Sequence, residues 1–460
     1  MQDGRTNQVQ DSVNGETSRP AEGKRRLPAA LRALRHRNFQ LFFSGQLISL
    51  VGTWMQNIAQ AWLVYRLTGS SLLLGSVSFA NQIPVFLIAP FGGTTADRYS
   101  RQRVVIATQT ASMILAFILA ALTLSNRVQV WHIFVLAASL GVVNAFDIPA
   151  RQAFLVEMVG RDDLMNAIAL NSSMFNGARI VGPAIAGILV ASIGEGWCFF
   201  ANGVSYIAVI AGLLLMRVQL RRAAPPGSPL QAIVEGFQFV KRTSPIRALL
   251  LLLGVVSLVG MPYSVLMPVF ADKILHGGAR GLGILMGATG VGALLGALTL
   301  AARSGLSGLG RWVALSAGSF GVCLILFAYS HQFWLSTVLL VPVGFSMMLE
   351  MASSNTLIQA MVPDDLRGRV MALYSMMFMG MAPFGALMGG ALADKVGAPL
   401  TVALGAVGCV GAAVLFGIRL PAMRVEARQL ILAQAMAGGT PAEEMTTRLV
   451  DGYARSEDAG

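Results

Sequence analysis

Charge is scarce in this chain. Asp, Glu, Lys and Arg make up only 12% of its 460 residues, roughly half the share in an ordinary soluble domain. Cysteine is scarcer still: the three, Cys198, Cys323 and Cys409, each sit inside an apolar run. That excludes a disulfide-stapled secreted scaffold and any thiolate metal centre. The four histidines, His36, His132, His276 and His331, are scattered in or beside loops without metal-ligand spacing or a nucleophile arrangement. The reading is therefore not an enzyme, with no metal and no cofactor. A Gly-rich loop ending in Lys-Ser or Lys-Thr is missing too, so ATP is not the direct energy source. The net charge of +12 does not point to nucleic acid, because the bases lie between long apolar runs and not on one surface.

What is present is apolar length. Hydrophobic residues are 55% of the chain and Gly contributes 50 residues, a membrane composition in which Gly permits close helix approach. Residues 38–65 carry no formal charge, and about 20 residues cross a bilayer. Spans are expected at 39–64, 72–94, 104–124, 130–150, 165–191, 197–216, 248–271, 281–302, 312–329, 333–354, 370–391 and 400–418. The chain is thus read as an all-α membrane protein with twelve transmembrane helices.

Two of these spans are faded copies of one segment. Ala169/Leu170, Met174/Phe175, Gly177, Gly182 and Gly187 recur as Ala372/Leu373, Met377/Phe378, Gly380, Gly385 and Gly390, at a constant offset of 203 residues. Such a repeat implies two pseudo-symmetric six-helix bundles. The expected division is a disordered cytoplasmic tail (1–36), an N-terminal bundle (37–216), a cytoplasmic linker (217–247), a C-terminal bundle (248–419) and a cytoplasmic tail (420–460). The linker holds Pro225, Pro226 and Pro229, and residues 231–241 read as a surface helix with Phe237 and Val240 toward lipid. One amphipathic helix fits 424–436. Bases set the orientation: twenty-four fall in segments read as inner and five in those read as outer. That places both termini in the cytoplasm of a multi-pass protein of the cell inner (plasma) membrane.

Polar groups inside spans need a reason. Gln46, Ser49, Thr53, Asn57 and Gln60 recur at intervals of three or four, on one helical face, and read as a wall of a substrate cavity or as interhelical hydrogen bonds. Trp54 and Trp62 either stack on a substrate or pack. Asn81 and Gln82 precede a helix-bending Pro84. They line the cavity or satisfy the backbone that the proline frees. Asn171, Asn176 and Arg179 follow on the fifth span. Arg179 binds an anionic group or ties helices together. No carboxylate is expected at mid-depth in the first six spans, and Glu350 is the best intramembrane acid: it carries a proton, pairs with a basic group or reaches inner water. Asp147 and Arg151, four apart at the expected inner end of the fourth span, read as partners in a charged latch with Asp97 and Arg101.

Gly93, Asp97, Arg98, Arg101 and Arg103 resemble the loop signature of the major facilitator superfamily, although Ser100 stands where that pattern has Gly and Gln102 where it has a base. The resemblance implies that this loop gates the inward opening. Gly177 to Gly187, with Gly182-Pro183 at the centre, resembles the fifth-helix signature of proton-coupled exporters, and Gly177, Gly182, Pro183 and Gly187 read as a helix-packing motif. Residues 42–49 and 67–70 are similar to the branch of the enterobactin exporter and the macrolide-efflux proteins. The implied activity is secondary export of small amphiphilic molecules, siderophore or drug, by alternating access and proton antiport, in a monomer. The alternatives are an importer or lipid flippase of the same fold, and a membrane sensor or scaffold that does not transport.

Overall fold

A computed structural model of the chain describes residues 29–160, 163–216, 229–303 and 305–436; within them the side chains of 29–30, 89–90, 93–94, 96–98, 229–233 and 435–436 fall outside the description. The first six long helices are α1 (Arg37–Thr68), α2 (Ser71–Arg98), α3 (Arg101–Leu124), α4 (Val130–Val159), α5 (Leu164–Ile193) and α6 (Glu195–Leu214). A surface helix, α7 (Pro229–Arg242), leads to the seventh crossing. That crossing is broken into α8 (Ser244–Val255), a π turn at Val256–Gly260, α9 (Pro262–Val265), α10 (Met267–Val269) and a second π turn at Phe270–Ile274. Pro262 and Pro268 remove two backbone donors there, and wider turns take up the slack. The rest are α11 (Gly278–Ala301), α12 (Leu309–Ala328), α13 (Phe333–Met361), α14 (Asp364–Val396) and α15 (Ala398–Met436).

Among the described residues, eleven crossings are long and apolar enough to span a bilayer. Helix α1 supplies the twelfth by its 32 residues, and its polar side chains, Gln46 to Gln60, keep its mean hydropathy below that of the others. The protein is an all-α, multi-pass membrane protein of pseudo-symmetric bundles, and the basic residues put the ends of the helical array on the cytoplasmic side of the inner (plasma) membrane.

The boundaries differ from the sequence reading where charged residues ride on helix ends. Asp97 lies in the last turn of α2 and not in a loop. Helix α15 runs unbroken through 419 to Met436, so the bundle boundary and the separate helix at 424–436 merge into one element. Of the linker, 217–228 lie outside the described residues, and 244–247 already belong to α8. On α7, Phe237 is exposed as expected, but Val240 is buried in the core of the C-terminal half and does not face lipid. The Glu235 carboxylate of α7 pairs with Arg369 on α14.

The expected tail also needs correction at its end. Residues Ala29–Arg35 form a 3₁₀ helix pinned to the start of α5. The Asp163 carboxylate, 1% exposed, takes ion pairs from Arg32 (2.6 Å) and Arg35 (2.7 Å) and a hydrogen bond from His36 (2.7 Å). The Ala33 amide donates to Asn166 at 2.7 Å. Hydrogen bonds from His36 and then Arg32 hold the Asp163 carboxyl down at about 2. A depressed carboxyl stabilises the fold above its unfolded value and loses that contribution as pH falls through the folded one, so the pin opens between about pH 4 and pH 2. Replacing Asp163 with Asn should raise amide exchange over residues 29–36 at neutral pH and leave α4 and α5 protected. Unchanged exchange there would mean that the ion pairs do not hold the segment.

The two halves meet through their outer ends. A Cβ at Gly390 of α14 would lie 2.5 Å from the Ser71 carbonyl of α2, and one at Gly75 would strike the Ala386 carbonyl. The mirrored crossing joins α5 and α11, where a Cβ at Gly283 would lie 2.5 Å from the Pro183 carbonyl and one at Gly187 would lie 3.0 Å from Gly283. Among the described residues these close glycine contacts run no further inward than Arg179 on α5 and Phe86 on α2, so the halves are closed together on the outer side.

Candidate functional site

The repeat extends beyond α5 and α14. At the same offset of 203, Trp131, Gly141, Asp147 and Met158 of α4 correspond to Trp334, Gly344, Glu350 and Met361 of α13. Both glycines let a neighbour's backbone come close. A Cβ at Gly141 would strike Asn81 of α2, and one at Gly344 would strike Thr289 of α11. Each half therefore carries one acid at the same point of the same helix.

The two acids have different surroundings. Asp147 is 3% exposed. It accepts from Thr108 (2.7 Å) and Gln109 (2.9 Å) of α3, and pairs with Arg151 at 3.1 Å. Because α4 continues to Val159, Asp147 stands ~18 Å from its inner end. This corrects one expectation: Asp147 is buried against α3 and is not a surface group. Arg101 pairs with Glu157 at 2.8 Å and donates to the Ala153 carbonyl at 3.3 Å. Glu157 went unnoticed because the span was expected to end at 150. Arg103 is exposed, and the side chains of Gly93, Asp97 and Arg98 lie outside the described residues.

Glu350, 1% exposed, has Ser354 where Asp147 has Arg151, and Ser354 donates to it at 3.4 Å. Among the described residues no Lys, Arg or His pairs with it. Its other neighbours are Tyr374 of α14, whose hydroxyl donates to the Met351 carbonyl at 2.9 Å, and Cys409 of α15.

The polar stripe on α1 splits. Ser49 lies with Gly45, Gly52 and Gln56 on the side packed against α6, where Gln56 accepts from Asn202 at 2.8 Å. Ser49 is thus a packing residue and not a cavity wall. Gln46 is buried with its Oε1 unpartnered, Thr53 stands beside Tyr206, and Asn57 is open. Thr53 and Gln60 are half-buried. Asn81 donates to the Ala137 carbonyl of α4 at 3.1 Å and Gln82 to Ser78 at 2.9 Å. Asn81 thus serves the close α2–α4 crossing, while Gln82 bonds within α2 itself. Asn176 is buried and donates to Ser172 at 2.9 Å, while Asn171 is half-buried.

Arg179 lies where the halves meet. Its guanidinium is 5.7 Å from the Trp54 ring of α1, and Trp54 makes an edge contact with Phe175 at 5.7 Å. Tyr263 of α9, in the other half, is within electrostatic range. A Cβ at Gly290 of α11 would lie 3.0 Å from the Arg179 carbonyl. Among the described residues no carboxylate pairs with this cation, and no hydrogen-bonded helix network forms around it. Trp62 packs on Tyr65 at 6.0 Å, which leaves Trp54 as the tryptophan at the junction. The neighbouring motif is tight at Gly182, whose Cβ would lie 2.5 Å from Trp54, and at Gly187. Gly177 is the exception: a Cβ there meets nothing within 4 Å, so it is not a packing residue.

Two repeated bundles, a junction closed on one side, and an unpaired cation with aromatics beneath that closure define a secondary transporter of the major facilitator type. The chain belongs to the Transmembrane secretion effector family of that superfamily, which matches residues 28–448. It is 26% identical to the Staphyloferrin A transporter of Staphylococcus aureus over 360 residues, covering 77% of this chain and 89% of that protein. It is 28% identical to the Multidrug efflux pump Tap of Mycolicibacterium fortuitum over 365 residues, covering 75% and 87%. It is 27% identical to the Enterobactin exporter EntS of Shigella boydii over 412 residues, covering 86% and 93%. Among solved structures, the nucleoside transporter NupG superposes with a TM-score of 0.65 at 15% identity, over 86% of this chain and 99% of that one. This last likeness speaks for the fold alone.

Proposed function

We propose that this protein exports small amphiphilic molecules carrying an anionic, ring-containing group, of the siderophore or drug type. Protons moving inward through Glu350 drive the export, and a monomer is the working unit. The observation that carries this reading is the arrangement of Arg179, Trp54 and Phe175 at the junction of the halves. A guanidinium without a carboxylate is free to take an anionic group, and rings beside it take an apolar or aromatic body. Relatives named for siderophore transport and multidrug efflux agree with such a ligand. Closure on the outer side leaves substrate to enter from the cytoplasm, and rocking of the two bundles would carry it across. Gln46, Thr53, Asn57, Gln60 and Asn171 supply polar contacts around that site in this reading.

The direct test is export by purified protein in vesicles, using a dye, a macrolide and a catecholate siderophore, each with and without a pH gradient. Gradient-dependent export of at least one is expected. If none moves in either condition, the exporter reading falls.

Binding offers a second check. Losing charge-assisted hydrogen bonds should weaken binding of a transported catecholate in Arg179→Ala by on the order of 10–100-fold. Arg179→Lys should keep part of the affinity, and neither melt should change much. A lowered melt in both variants, with affinity preserved in the folded fraction, would instead make Arg179 a strut between helices.

A further inference from the structure

We propose that Asp394 is the latch of the outer gate, holding the two halves together outside by capping a helix of the opposite half. Asp394 sits in the last turn of α14, in the C-terminal half. Its Oδ1 accepts the Ser71 amide of α2 at 2.7 Å, and its Oδ2 accepts the Ser70 hydroxyl at 2.8 Å. Ser70 is itself the N-cap of α2, and its side-chain oxygen accepts the Leu73 amide at 3.2 Å. The carboxylate therefore completes a helix N-terminus that belongs to the other bundle. A negative charge is favoured there both by unpaired amides and by the helix dipole.

The placement along α14 makes this a gate contact. One turn earlier, Gly390 lies against Ser71 and Gly75, and two turns earlier Ala386 lies against Gly75. Residues 386, 390 and 394 thus form one ridge seated on the outer end of α2, with Asp394 at its rim. The mirrored ridge on α5 has Pro183 and Gly187 at the equivalent places, but Ala191 at the third, which can make no such bond. The latch is therefore one-sided. A weaker contact across the halves lies nearby, from Tyr65 of α1 to Asp272 at 3.3 Å. The outward-closed form keeps all of these contacts. An outward-open form has to break the Asp394 bonds, because opening outside means parting α2 from α14. Asp394 thus sets the balance between the two forms and touches no substrate, so it is a positioning residue. This rests on reading the chain as an alternating-access transporter.

The test is the distance between outer loops, measured by spin labels on cysteines at Ser125 and His331, with Cys198, Cys323 and Cys409 replaced by alanine. The protein is the full chain in sealed lipid vesicles, with and without a pH gradient and a transported dye. Asp394→Ala should raise the ratio of long to short outer distances about tenfold, the worth of one helix cap. Asp394→Asn should raise it by less, and Asp394→Glu should stay near the parent. Melting of each variant confirms that it is folded. A parent that shows two distances, with Asp394→Ala leaving their ratio unchanged, overturns the latch. A parent that keeps one distance under every condition fails the alternating-access reading itself.

Discussion

Glu350→Gln is expected to bring pH-gradient-driven efflux down to the rate seen without a gradient, while downhill exchange of substrate continues. The reason is the contrast with its repeat partner. Asp147 is held by a cation and two side-chain donors, so its charge is compensated. Glu350 is as deeply buried and has one long hydrogen bond from Ser354. A buried carboxylate without a cation is costly as an anion, and such a group can take up a proton from one side and release it when its surroundings change. The repeat suggests a sharper variant. Ser354 holds the position that Arg151 holds in the other half, so Ser354→Arg should give Glu350 the partner that Asp147 has. Efflux should then lose its gradient dependence even though the carboxylate is intact. If Glu350→Gln and Ser354→Arg both keep full gradient-driven efflux, the proton travels elsewhere and Glu350 is structural.

Much of this arrangement was legible before any coordinates. Long uncharged runs located the crossings, since no soluble fold needs them, and the bases flanking them oriented the array. The α5/α14 repeat was visible because its glycines are needed for close contact in both halves. The α4/α13 repeat was harder to see. Apart from common Val and Leu, only Trp, Gly, Met and an acid of changed length survive there, and they stand out once Gly141 and Gly344 are seen under a neighbouring backbone. The site was read less well, for a physical reason. Periodicity tells which residues share a face but not what that face meets. Ser49 shares a helix with Thr53 and Asn57, yet packs on α6, and Asn81 spends its amide on α4. Depth was misjudged where helices continue past the bilayer, which hid both Glu157 and the burial of Asp147. Asp394 gave no signal at all, because its partner is a helix terminus 323 residues away in the chain.

The largest effect on stability is expected from Arg151→Ser, which gives the N-terminal half the arrangement of the C-terminal one. Asp147 would keep Thr108 and Gln109 but lose its cation. The pair is well covered, with side chains 4% and 27% exposed. Breaking such a pair leaves an uncompensated charge and costs about 3 kcal/mol. The melt in detergent should fall by on the order of 5 °C. Asp147→Asn together with Arg151→Ser should recover most of the loss, since Asn still accepts from Thr108 and no charge remains. The double variant separates the pair from the position. If it melts no higher than Arg151→Ser alone, the arginine is supporting something other than Asp147. Recovery, by contrast, would show that the two halves share one buried acid site, kept charged in one half by a cation that the other half lacks.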